Sequence, residues 1–187
     1  MRLSWAARRR FGSESAREVA KFDAVADWWD PRGSMAVLHA YNRVRVEFIR
    51  QQALQYLPTA EPFFCLKDRL ALDLGCGGGL LTEKLAFLGA RARGVDTSTA
   101  GVAAARAHLE HFSPDLRDRV RYFHGTVEEY ARQAGAEQAD LLCALELIEH
   151  LEDLPGFLAQ AAALLRPGGL FVLSSINRTP MAYLTTV

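Results

Sequence analysis

The sequence predicts an α/β domain: a mostly parallel sheet with helices packed on both of its faces. Three observations carry this reading. From residue 70 onward, short apolar segments alternate with helical segments of about ten residues, the rhythm of repeated βα units. The first apolar segment, Leu70–Leu74, runs straight into Gly75-Cys76-Gly77-Gly78-Gly79 and then into a helix. The second apolar segment ends on an acid, Asp96.

Taken in order, the chain reads as helical from Glu14 to about Tyr56, with Phe22, Val25, Ala26 and Trp29 at three- and four-residue steps. Pro31-Arg32-Gly33 breaks that pattern, and a second helix is expected from Asn42, acting as N-cap, to Tyr56. Pro58 to Pro62 is a linker. Strands are predicted at 70–74, 91–95, 119–123, 139–143 and 169–175, with helices at 79–88, 99–111, 127–133 and 154–165 between them. Asn177, Arg178 and Pro180 close the last strand. The expected division is a leader over 1–13, a helical cap over 14–62 and a cofactor-binding domain over 63–187. Right-handed crossovers place the carboxyl ends of all strands on one edge, where ligands bind. Gly75, Asp96, Gly125-Thr126, Glu146 and Asn177 all fall at or just past such ends.

Composition narrows the function. With 187 residues, half of them hydrophobic and 24% charged, the chain suits one soluble domain with a substantial core. The formal net charge is zero, so no global electrostatic case for nucleic acid exists and none is expected as a partner. Cys65, Cys76 and Cys143 include no Cys-x-x-Cys pair and indicate neither a disulfide framework nor a zinc site. No apolar run reaches the roughly 20 residues of a spanning helix. The opening residues hold Arg, Ser and bulky apolar side chains with no acid before Glu14, the composition of a mitochondrial transit peptide.

The glycine bend decides the ligand class. A dinucleotide loop has the spacing Gly-x-Gly-x-x-Gly and seats a pyrophosphate on the helix N-terminus, whereas here Asp73 stands inside the motif and would repel that group. The same carboxylate suits the ammonium or sulfonium of S-adenosylmethionine. Gly75 and Gly77 let the backbone approach that ligand, and Asp96 can accept from both ribose hydroxyls. The chemistry implied is methyl transfer.

A second cluster follows the fourth strand. Glu146, Glu149 and His150 are spaced i, i+3 and i+4, so one helical turn would bring them to a single face. Two carboxylates and an imidazole suit a divalent ion that would activate a phenolic hydroxyl. Without metal, His150, assisted by Glu149, could take the proton as general base. A metal-free arrangement in which the carboxylate caps a helix and the histidine packs under the cofactor is the plainer alternative. His39, His108, His111 and His124 read as surface histidines, and Arg45 as a solvated side chain or a clamp for a carboxylate. Trp28 and Trp29 read as core or interface anchors, or as a lid over the substrate.

Together these motifs resemble the ubiquinone-biosynthesis O-methyltransferase family. The resemblance spans about residues 20 to 180 and rests on Phe22-Asp-Ala-Val-Ala-Asp-Trp-Trp-Asp30, Leu38-His39, Asn42 with Arg45, Leu72 to Gly79, Thr126-Val127-Glu128-Glu129, Glu146 to His150, and Arg166-Pro167-Gly168-Gly169. It implies a Rossmann-like class I methyltransferase fold, a three-layer sandwich from which the last two of seven strands are missing here. It also implies cofactor contacts from Arg45, Gly75, Asp96 and the backbone of Leu145, and a magnesium-type site at Glu146, Glu149 and His150. The implied substrate is a polyprenylated catechol met at a membrane surface, with a ubiquinone-biosynthesis complex as partner. The matching location is the matrix side of the mitochondrial inner membrane, or else the bacterial cytoplasm. Other readings are a methyltransferase for a soluble small molecule, or an inactive chain that serves only as a binding partner.

Overall fold

The computed structural model describes residues 16–59, 61–135 and 137–175. The expected leader over 1–13, Asn177, Arg178 and Pro180 lie outside them. Helix α1 (Ala16–Asp23) is followed by a run of turns and then α2 (Ala36–Tyr56). Five βα-type units come next: β1 (Leu70–Leu74), α3 (Leu80–Phe87), β2 (Arg91–Asp96), α4 (Thr99–Leu109), α5 (Pro114–Arg119), β3 (Val120–His124), α6 (Val127–Ala134), β4 (Ala139–Leu145), α7 (Leu154–Leu164) and β5 (Leu165–Ser174).

The strands form one parallel sheet in the order β3-β2-β1-β4-β5, with β1 at its centre. Because successive side chains point to opposite faces, β1 divides its residues between two cores. Ala71 joins Ile49, Leu85, Ala105 and Leu141 under α2, α3 and α4. Leu70, Leu72 and Leu74 join Phe157, Leu142 and Val127 under α6 and α7. Burial on both faces explains why the central strands read as continuous apolar runs. The chain reverses its winding between β1 and β4, so the carboxyl ends of these neighbours diverge into a crevice.

Several sequence expectations are corrected. The first helix stops at Asp23 rather than running on through Trp29, and the Pro31–Gly33 region is held as turns, with Asp27 accepting from the Ser34 N–H at 2.7 Å. The second helix starts at Ala36, so Asn42 is not its N-cap but a buried residue inside it. Helix α5 went unread: Ser113-Pro114 starts it, with proline at the first turn where no N–H is needed. The strand pairing of β5 begins at Leu165 instead of 169, and its register jumps from Ala139↔Leu165 to Leu141↔Leu170. Arg166-Pro167-Gly168-Gly169 is the extra chain in that bulge, which a proline tolerates because it has no N–H to pair. The helix expected at 127–133 forms over Val127–Ala134, and Thr126 and Glu129 close its start with a reciprocal capping box.

Candidate active site

The crevice at the ends of β1 and β4 is a cavity of ≈ 550 Å³. Its walls include Asp73, Gly75 and Gly77 from β1 and its bend, Asp96 from the end of β2 and Ser98 from the head of α4, Leu145 from the end of β4 with Glu146, Glu149 and His150 after it, and Asn42 and Arg45 from α2. All the residues singled out from sequence for cofactor or catalysis therefore meet in one place.

The bend starts where Gly75 and Cys76 both donate backbone N–H bonds to Val95 O, at 2.8 and 3.2 Å. Gly75 and Gly77 have φ of 74° and 49°, a region costly for residues with a Cβ. Space forbids a side chain as well: a Cβ on Gly75 would lie 2.9 Å from Leu147 Cδ1, and one on Gly77 would collide with the Trp28 ring. Trp28 is 4% exposed, and the neighbouring Trp29 donates its indole N–H to Gly78 O at 2.9 Å. The tryptophan pair thus anchors the bend from outside.

Asp96 ties the bend to β2. Its Oδ2 accepts the Gly77 N–H and its Oδ1 the Ser98 N–H, each at 2.7 Å. Each carboxylate oxygen keeps a further lone pair for a ribose hydroxyl. Burial raises the Asp96 carboxyl above the usual range, and the two backbone N–H bonds pull it back. Ser98 and Asp23, missed from sequence, complete this corner. The Ser98 hydroxyl accepts the Gly101 N–H at 2.9 Å, capping α4, and donates to Asp23 at 2.8 Å. A serine just ahead of a helical run was the available signal.

Asp73 is 3% exposed and accepts the Thr82 hydroxyl at 2.6 Å. Desolvation pushes its carboxyl up to about 7, against the lowering effect of Thr82. A cation entering the cavity would favour the ionised form.

Arg45 is not solvated: its guanidinium meets Glu146 Oε1 at 3.2 Å. The same oxygen accepts the Ser174 hydroxyl at 2.7 Å, joining α2 to the ends of β4 and β5. Glu146 takes a positive φ of 54°, and a short 3₁₀ turn over Ile148–His150 replaces the expected α-helical face. Glu149 accepts from the Ser175 hydroxyl at 3.1 Å, and the His150 ring meets Phe22 edge-on with centroids 5.2 Å apart. The magnesium reading of Glu146, Glu149 and His150 is corrected accordingly. The three line one cavity, but among the described residues no group of three His, Cys, Asp or Glu side chains is gathered to hold a metal. Their carboxylates are engaged by an arginine and two serines, so these residues in this arrangement do not fit the ion.

His108, read as a surface histidine, packs against Trp29 with parallel rings 3.3 Å apart and shares its Nδ1 with Glu83 at 3.0 Å. Burial drives Glu83 up to about 8 and His108 down, which favours the neutral forms of both. His39 likewise faces inward, its Nε2 2.9 Å from Trp28 O.

A parallel sheet of this order with a glycine bend, a ribose-competent acid and a cavity at the switch point defines the class I methyltransferase fold. A methyltransferase-domain family model matches residues 72–171. The ubiquinone biosynthesis O-methyltransferase of Azorhizobium caulinodans is 42% identical over 168 residues, covering 89% of this chain and 64% of the relative. That of a Methylobacterium species is 40% identical over 176 residues, covering 91% and 67%. Among solved structures, the glycopeptide N-methyltransferase MtfA complexed with S-adenosyl-L-methionine aligns with a TM-score of 0.55 at 25% identity, over 68% of this chain and 53% of that one. Phosphoethanolamine N-methyltransferase 1 of Haemonchus contortus shares the fold, with a TM-score of 0.61 at 20% identity over 88% of this chain and 32% of its own. The chain belongs to the methyltransferase-domain family and, within it, to the family of the ubiquinone biosynthesis O-methyltransferases. It spans 64% of the length of the Azorhizobium relative, a little under two thirds.

Two outcomes follow from the site. Because the Asp73 carboxyl titrates at about 7 when folded and at 3.8 in its ordinary state, the folded chain holds the extra proton between those values. Its stability therefore falls as pH rises through that window. Thermal melts of the ligand-free chain should show Asp73→Asn gaining on the parent between about pH 4 and about pH 8; a constant difference would refute the assignment. Titration of Mg²⁺ into the ligand-free chain should show no binding tighter than about 1 mM, since the ion must first displace Arg45 from Glu146. Micromolar binding would overturn the arrangement described.

Proposed function

We propose that this chain carries the methyl-transfer site of an S-adenosylmethionine-dependent enzyme that methylates a phenolic oxygen of a polyprenylated catechol in ubiquinone biosynthesis. The observation that carries the reading is the convergence of the glycine bend, Asp96, Arg45 and His150 on one cavity. Similarity to the bacterial ubiquinone biosynthesis O-methyltransferases supports it.

In this reading Asp96 holds the ribose, Arg45 the cofactor carboxylate, and the backbone of Leu145 borders the adenine. Asp73 lies beneath the cationic end. His150, with Glu149 beside it, takes the proton from the acceptor hydroxyl. When bound, S-adenosylmethionine would supply the methyl group to the resulting phenolate oxygen, the C–S electron pair staying on sulfur as a neutral thioether. Positioning supplies much of the rate, because the oxygen must sit about 3 Å from the methyl group.

An exposed apolar stripe supports an acceptor with a lipid tail. Val37, Tyr41, Val44 and Phe48 recur at four- and three-residue steps on α2 and are 51–73% exposed, and the first two also line the cavity. A tailed acceptor would be drawn from a membrane surface, although no helix among the described residues is long and apolar enough to cross one. The named relatives are bacterial, which supports a bacterial setting over the mitochondrial one.

The test is transfer of a labelled methyl group from S-adenosylmethionine to a catechol bearing a short isoprenyl tail. His150→Gln should lower kcat by about 10²- to 10⁴-fold while cofactor affinity stays within about twofold. Equal loss of both, or full turnover by the variant, would remove His150 from the reaction. Turnover of an untailed soluble acceptor in preference to the tailed one would overturn the substrate reading.

A further inference from the structure

Asn42 stands three residues before Arg45 on α2, which places the two on the same side of the helix, and both line the main cavity. Asn42 is only 7% exposed. Its Nδ2 donates to the Leu80 carbonyl at 2.7 Å, at the point where the glycine bend becomes α3. A carbonyl can only accept, so this bond fixes which end of the amide is nitrogen. Oδ1 is therefore turned away from Leu80 O. Among the described residues it has no hydrogen-bond partner, and it is not sealed inside the protein.

The carboxylates on the cavity wall each accept at least one bond from the protein itself and keep lone pairs for a ligand. Asp73 accepts from Thr82, Asp96 from Gly77 and Ser98, Glu146 from Ser174 and Arg45, and Glu149 from Ser175. Asn42 Oδ1 is an acceptor without a protein donor, among the described residues, on a nearly buried residue, and Arg45, three residues further along α2, carries a guanidinium that can only donate. An amino-acid terminus offers the complementary pair, an ammonium that only donates and a carboxylate that only accepts, on one carbon.

We propose that Asn42 Oδ1 accepts a hydrogen bond from the ammonium group of the bound cofactor, with Arg45 taking the carboxylate beside it. The assignment rests on the S-adenosylmethionine reading of the cavity and adds to it a second polar contact from α2. Asn42 thus has two tasks, since its Nδ2 holds the start of α3 while its Oδ1 reads the ligand.

The two tasks separate in a ligand cycle. Affinities of S-adenosylhomocysteine and of its des-amino analogue are measured by calorimetry on the parent chain and on Asn42→Leu. The variant should lose about tenfold or more for S-adenosylhomocysteine and less than about twofold for the des-amino ligand, because a charge-assisted bond disappears only from the first. Equal losses for both ligands would make Asn42 a structural residue and overturn the assignment, as would a parent chain that binds both equally. A parent chain that binds neither would instead overturn the cofactor reading beneath it. Should Asn42→Leu fail to fold, Asn42→Asp reads the same cycle with opposite sign, its carboxylate strengthening the preference for the amino form.

Discussion

One carboxylate holds the crevice at the sheet edge in shape. Asp96 ends β2 and receives backbone N–H bonds from Gly77 in the β1 bend and from Ser98 at the head of α4. Hydrogen bonds to a charged group are worth about 1.5–3 kcal/mol each, enough to set the conformation of short loops that bury little apolar surface of their own. Ser98 passes the constraint to Asp23 in α1, and Trp29 fastens the far side of the bend through Gly78 O. The helical segment that precedes the sheet is thus a wall of the cavity, bonded to it at both ends.

Around this centre the protein stores unfavourable electrostatics. Asp73 is buried and Asp96 partly so, and desolvation raises both carboxyls, Asp73 to about 7. Among the described residues neither faces a fixed cation at salt-bridge distance, whereas Arg45 is already matched to Glu146. The cavity is electrostatically incomplete and best completed by a positively charged ligand with donor groups, which is a description of S-adenosylmethionine. Glu83 repeats the pattern behind the bend, kept near neutral between His108 and a desolvated interior.

The parts legible in the sequence are those that depend on local pattern. Alternating apolar strands and helices placed the parallel sheet, Gly75 and Gly77 marked the bend, and Asp96 marked the end of β2. What escaped was set by contacts distant in sequence. Asn42 looks like an N-cap until Leu80, 38 residues away, engages its amide inside α2. His108 looks like a surface residue until Trp29 stacks on it. Glu146, Glu149 and His150 share a face only if the segment is an α-helix, and the positive φ at Glu146 prevents that. Spacing gives proximity only once the secondary structure is known.

The central claim is that Asp96 both shapes the bend and grips the cofactor. Calorimetric titration of S-adenosylmethionine into Asp96→Ala tests it most directly. The account predicts an affinity loss of about 1.5–3 kcal/mol, roughly ten- to 150-fold, since a charged acceptor for the ribose and the tie to Gly77 vanish together. An affinity equal to that of the parent chain would contradict it.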